Sequence, residues 1–119
     1  MALIDQVVSF NDHPVPLQPF VTPPERLIAG DPAQTIALYT NELDGKLIAG
    51  LWESEPGKWE AVAQRREFCV ILEGRVIISD EAGGEKVYTA GDSFMLPYGF
   101  KGYWEVTEFC RKYFVILQD

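Results

Sequence analysis

At 119 residues with 47% apolar side chains, the chain has the size of one globular domain with a real core and leaves no room for a second. Eighteen acidic against ten basic side chains set a net charge of −8 and a pI near 4.6, a balance that opposes binding to phosphate backbones and anionic membrane surfaces. Nucleic acid and membrane are therefore not expected partners. Residues 1–10 carry no basic side chain ahead of their short apolar run, and no run reaches membrane-spanning length, so the expected location is the cytoplasm.

The first stretch is rich in proline. Pro14, Pro16, Pro19, Pro23, Pro24 and Pro32 block helix and leave few backbone donors for a sheet ladder, which predicts an extended arm over residues 1–33, packed along a β domain of residues 34–119. His13, the one histidine, sits in this arm beside Pro14, where a surface or arm-packing role is expected of it. After the arm the pattern turns to short β-rich runs, predicting strands over 35–40, 46–53, 59–63, 67–73, 75–79, 85–89, 93–96, 102–107 and 111–117. Their connectors hold Asp44-Gly45, Pro56-Gly57, Gly83-Gly84, Gly91-Asp92 and Pro97-Tyr98-Gly99, which accept the backbone angles of tight reversals. Strands in such a series need their edges protected, and a jelly roll does this. The fold class is all-β.

Two segments carry a more specific pattern. Residues 57–74 hold Gly57, Glu67 and Gly74, and residues 91–106 hold Gly91, Pro97 and Gly99. Their spacing resembles the two signature motifs of the cupins. Three further phrases, residues 50–57, residues 67–75, and residues 99–106 with Arg111-Lys112, are similar to the (S)-ureidoglycine aminohydrolase-type cupins, the branch that includes the ethanolamine-utilisation Q protein. The resemblance covers residues 35–117. It implies a single-domain, RmlC-like jelly-roll β-barrel and a homodimer. The cupin motifs would place two histidines where Ala61 and Ala63 stand, then a histidine and an asparagine where this chain has Gly102 and Val106. A catalytic metal needs about three or four protein ligands, and Glu67 alone cannot supply them. Neither metal nor other cofactor is expected.

Side chains alternate between the two faces of a strand. If Glu67 points into the barrel as the resemblance implies, Cys69 and Ile71 share its direction, with Trp59, Ala61 and Ala63 on the strand before and Trp104 and Val106 on a later one. The predicted cavity has an aromatic wall, a floor of small residues and one carboxylate. Candidate ligand-binding residues are Tyr39, Trp52, Trp59, Glu67, Lys101, Trp104 and Lys112, and Glu67 is also the candidate catalytic residue.

Each candidate has a structural and a functional reading. Glu67 is either a packing ion pair with Arg65, Arg66, Lys101 or Lys112, or a general acid or base or ligand anchor with a perturbed pKa. Trp52 and Trp59 read better as core, whereas Trp104 is the stronger candidate to line a pocket. Tyr39, with Asn41, could close one mouth of the barrel, although Asn41 near Asp44-Gly45 reads better as turn chemistry. Lys101 and Lys112 could each pair with an anionic ligand or with Glu67, and Lys112 interrupts an otherwise apolar strand, where a charge is commonly paired. Cys69 and Cys110 read as small buried hydrophobes rather than as a disulfide, metal site or reactive thiol.

The sequence is compatible with three functions. The favoured one is a metal-free cupin that binds a small polar or carboxylate-bearing metabolite through Glu67, Trp104 and one lysine. The alternatives are a manganese-dependent enzyme of the ureidoglycine aminohydrolase kind and a non-catalytic dimeric module for interaction or sensing.

Overall fold

The computed structural model describes residues 2–12 and 14–119. His13 lies outside the described residues. The described chain forms nine strands: β1 (Gln18–Phe20), β2 (Leu27–Ala29), β3 (Gln34–Glu42), β4 (Leu47–Ser54), β5 (Gly57–Glu60), β6 (Arg66–Asp80), β7 (Glu85–Thr89), β8 (Ser93–Leu96) and β9 (Gly102–Leu117). Short 3₁₀ turns occupy Leu3–Gln6 and Pro24–Arg26.

Two long strands form the spine. β6 and β9 pair antiparallel from Arg66↔Leu117 to Asp80↔Gly102. The free edge of β9 takes β4 along residues 110–117 and β5 along residues 103–106. The free edge of β6 takes β8 along residues 67–70 and β7 along residues 75–79. β3 adds to β4, and the antiparallel sheet curls on itself into the expected all-β jelly roll.

Four predicted strands are thus two. The sequence pattern predicts a break at Gly74 between 67–73 and 75–79, but β6 runs through it as a bulge, with the register against β9 shifting between Ile71 and Val76. Gly74 has φ +92°, and a Cβ there would fall 1.9 Å from the Phe109 carbonyl oxygen, so only glycine permits the strands to approach this closely. The bulge changes the inward set of β6 from odd numbers (Glu67, Cys69, Ile71) to even ones (Val76, Ile78), all buried. β9 keeps one parity, and Trp104, Val106, Cys110, Lys112, Phe114 and Ile116 all face inward.

The proline-rich segment does enter the ladder. β1 pairs with β3, Gln18↔Ile36 to Phe20↔Gln34, and β2 pairs with β5 at Leu27↔Trp59. Both are three residues long and pair on one side only, the edge positions where a strand can carry a proline, as β1 does at Pro19, without demanding a full row of donors. Residues 21–26 pass between them and carry Thr22 and Arg26 to the interior. None of the described helices is long and apolar enough to cross a membrane.

Candidate functional site

The middle of the interior is packed solid, and the end nearest Glu67 is not. Around Ile71, Val76, Val106 and Cys110, side chains are 0–2% exposed. Toward the start of β6 and the end of β9 the sheet instead encloses a cavity of about 90 Å³. Trp52 (β4), Trp59 (β5), Glu67 (β6), Trp104 and Lys112 (β9) line it, together with Arg26, Arg65 and Gln34.

The floor is a buried ion pair. Lys112 Nζ donates to Glu67 Oε2 at 2.6 Å, and the two side chains are 7% and 3% exposed. Arg65 Nη2 donates to the other carboxylate oxygen at 3.2 Å. The Cys69 thiol also donates to Oε2, at 3.2 Å. The Lys112 ammonium sits 3.9 Å from the Trp104 ring centroid and 4.5 Å from that of Trp52. Such cation–π contacts contribute about 0.5 to 2 kcal/mol, more as water is excluded. The two indoles meet edge to face at 6.1 Å, and Trp59 adds a third ring 5.9 Å from Trp52.

These contacts decide the protonation states. Burial alone would push the Glu67 carboxyl up, but the Lys112 ammonium and the Arg65 guanidinium outweigh it and hold the group below the ordinary carboxylate range. Burial alone would lower Lys112, and the Cys69 sulfur and Glu67 carboxylate beside it more than offset that, leaving it raised. Burial keeps the Cys69 thiol protonated, its pKa pushed well above the ordinary value. The neutral form of Cys69 leaves Glu67 as the charged partner of Lys112. Burial likewise lifts Cys110 to about 11, so neither thiol is a nucleophile near neutral pH.

A second, neutral chain of hydrogen bonds fixes the wall. Trp52 Nε1 donates to Gln34 Oε1 at 3.1 Å, and Gln34 Nε2 donates to Thr22 Oγ1 at 2.7 Å. The N-terminal segment is thereby tied to the indole that covers Lys112. Arg26, in the same segment, donates from Nη1 to the Glu60 carbonyl at 3.1 Å.

Of the sequence-predicted residues, the fold brings together Trp52, Trp59, Glu67, Trp104 and Lys112. It does not bring in Tyr39 or Lys101. Tyr39 stacks on Phe10 at 4.3 Å and accepts the Val15 N–H through its hydroxyl, on the outer face. Lys101 is exposed near Ala63 and Tyr103, away from the carboxylate. Arg66, also considered for Glu67, turns outward and pairs with Asp119 at 3.0 Å. Ala61 borders the cavity but Ala63 does not, because β5 ends at Glu60 and the alternation expected through residue 63 stops there. Arg26, Gln34 and Thr22 were not singled out, and Arg65 entered only as a possible partner of Glu67.

Cupins commonly hold a transition metal, and the donor set of this cavity does not meet that need. At Ala61 there is no ligating atom. At Gly102 a Cβ would lie 2.0 Å from the Ser79 carbonyl oxygen, leaving no room for an imidazole on this backbone. Both oxygens of Glu67 already accept hydrogen bonds from cationic side chains. Among the described residues no three His, Cys, Asp or Glu side chains converge on a point. These residues do not fit a cupin metal, and the cation beside the motif glutamate is a lysine of the chain itself.

No curated protein sequence matches the chain. Among solved structures, a protein of unknown function from Pseudomonas syringae pv. tomato, of the DUF861 family, superposes with a TM-score of 0.77 at 25% identity. The match covers 87% of this chain but 45% of that one, so the present chain spans less than half the length of that relative. The EutQ protein of Clostridium difficile aligns over 83% of this chain and 80% of its own, with a TM-score of 0.65 at 19% identity, a likeness of fold. A DUF861 protein of Thermotoga maritima shares 34% identity over 54% of this chain and 73% of its own, with a TM-score of 0.51. Residues 41–114, which hold all of β6, most of β9 and the Glu67–Lys112 pair, match the EutQ-like cupin domain, and the chain belongs to that family.

Proposed function

We propose that this protein binds a small polar metabolite inside the barrel without a metal ion. The observation that carries the reading is the Glu67–Lys112 pair, buried under two indoles yet bordering an open 90 Å³ cavity. A buried pair contributes little to stability over a well-packed apolar replacement. Convergent polar groups in an apolar concavity are the usual marks of a ligand site. Glu67 acts in this reading as an anchor that holds Lys112 and Arg65 in place. Its depressed pKa moves it away from operating pH and weakens it as a general base. A metal-assisted aminohydrolase reaction depends on a divalent ion to polarise its substrate, and the donor set gives no support to that reading.

The test is a melting-temperature screen of the chain, prepared without chelator, against small acids, amides, amines and alcohols. A ligand that binds only the native state raises stability as RT ln(1 + [L]/Kd), about 2.7 kcal/mol at a hundredfold excess over Kd. At least one compound class should raise the melting temperature, and the response should vanish in Trp104→Ala. Stoichiometric manganese, iron or zinc in the purified protein would overturn the metal-free reading.

A further inference from the structure

The cavity carries more positive charge than its own carboxylate can balance. Four ionisable side chains line it: Arg26, Arg65 and Lys112 against Glu67. Three cations and one anion leave a surplus of two positive charges, inside a chain whose net charge is −8. Each Glu67 oxygen is already engaged, Oε2 by Lys112 and Oε1 by Arg65. Among the described residues, Arg26 has no carboxylate in hydrogen-bond contact and donates one bond, to the Glu60 backbone carbonyl. Burial first and the neighbouring Arg65 second lower its pKa, and they outweigh the opposing carboxylates of Glu25 and Glu60, which do not line the cavity. Two guanidiniums placed together at the partly exposed side of a cavity, over a buried ammonium, are matched by an anion with planar, two-oxygen geometry.

Size narrows the anion further. An apolar cavity of about 150 Å³ accepts benzene, with its six heavy atoms. By that scale the 90 Å³ here takes about three or four, the size of a two- or three-carbon chain whose carboxylate oxygens reach the partly exposed side. The indoles of Trp52 and Trp104 and the side chain of Ile36 leave room for one short apolar tail and no second charged group.

We propose that the ligand is a monocarboxylate of about two or three carbons, its carboxylate held between Arg26 and Arg65 and its tail turned toward the tryptophans. The inference rests on the barrel being a ligand site, and assigns the class of that ligand and the role of Arg26. Arg26 is then a binding residue contributed by the segment that precedes the cupin motifs.

Isothermal titration at low ionic strength, on the full chain, compares acetate, propionate, butyrate and hexanoate with acetamide and ethylammonium. Acetate and propionate should bind, hexanoate at least tenfold more weakly, and acetamide at least tenfold more weakly than acetate. Arg26→Gln should weaken propionate at least tenfold, and Arg26→Lys should restore part of the loss; Arg26 is partly exposed, so both variants keep the fold. Equal binding of acetamide and acetate, equal binding of hexanoate and propionate, or unchanged propionate affinity in Arg26→Gln would overturn the assignment. Binding of acetamide or ethylammonium with no response to any carboxylate would sink this inference and leave the barrel a ligand site. Silence from all three classes would sink this inference, and silence from the alcohols of the wider screen as well would remove both.

Discussion

β6 has two faces that start one residue apart and do opposite things. On the outer face Arg66 pairs with Asp119 at 3.0 Å, the side chains 44% and 66% exposed, followed by a half-exposed Phe68. On the inner face Glu67 pairs with Lys112 and Arg65, followed by Cys69 and Ile71 at 0% exposure. The outer pair faces water, where solvent and salt offset most of its attraction. The inner pair has lost its water and must be satisfied by protein, so each partner depends on the other. An ion pair in this barrel is therefore informative about function only on the inward parity.

The largest expected effect comes from removing one inner partner. Lys112→Met leaves Glu67 buried with Arg65 and a thiol, and should cost about 3 to 5 kcal/mol in urea unfolding. The double variant Glu67→Leu with Lys112→Met should recover most of that loss, because an apolar pair of similar volume no longer requires charge compensation. It should at the same time abolish any ligand response. If Lys112→Met matched the parent in stability, the two faces would not differ. The pair also sets a pH window. Glu67 is depressed, so its contribution is present above its ordinary value of 4.5 and is lost as pH falls through the lower folded value. Lys112 is raised, so its contribution is full below 10.5 and is lost as pH climbs through the higher folded value. Lys112→Met should flatten both limbs.

Much of the inner face could be read from the sequence, because a period of two assigns faces within one strand. That rule groups Glu67 with Cys69 and Ile71, and Trp104 with Val106, while the resemblance to the cupins supplies which group faces in; Lys112 stands out separately, as a charge in an apolar run where pairing is common. It fails across a bulge. Gly74 looks like a turn in a one-dimensional reading, and the change of parity from Ile71 to Val76 is settled by how closely β6 must approach Phe109 on β9. It fails also for segments with no period. Thr22, Arg26 and Gln34 reach the cavity through tertiary hydrogen bonds and the short strands β1 and β2, and a proline-rich stretch carries no signal for which wall it will cover. Tyr39 shows the converse error. Its place at the end of a strand suggested a mouth, but its ring faces outward onto Phe10, a partner 29 positions earlier that no local pattern could supply.

A smaller effect should sharpen the contrast between the packed and open parts of the inner face. Ala61 borders the cavity and is half-buried. Ala61→Val adds apolar volume to empty space, and cavity filling of this kind commonly adds about 0.5 to 2 kcal/mol. Stability should rise while the response to propionate falls. A rise in both would mean that the space beside Ala61 is not where a ligand sits.

The smallest effect belongs to the outer face. Arg66→Ala removes one partner of an exposed pair, and such pairs contribute about 0 to 1 kcal/mol. The Arg66 guanidinium also lies 5.0 Å from the Tyr98 ring, a contact that is exposed as well and adds little. Urea unfolding of Arg66→Ala should therefore fall within about 1 kcal/mol of the parent at low salt, and the difference should shrink as salt screens the pair. A loss as large as that of Lys112→Met would place the Arg66–Asp119 pair in a dry contact with something beyond the single chain. The exposure of Phe68 and of its cross-strand partner Val115 would then no longer mean contact with water.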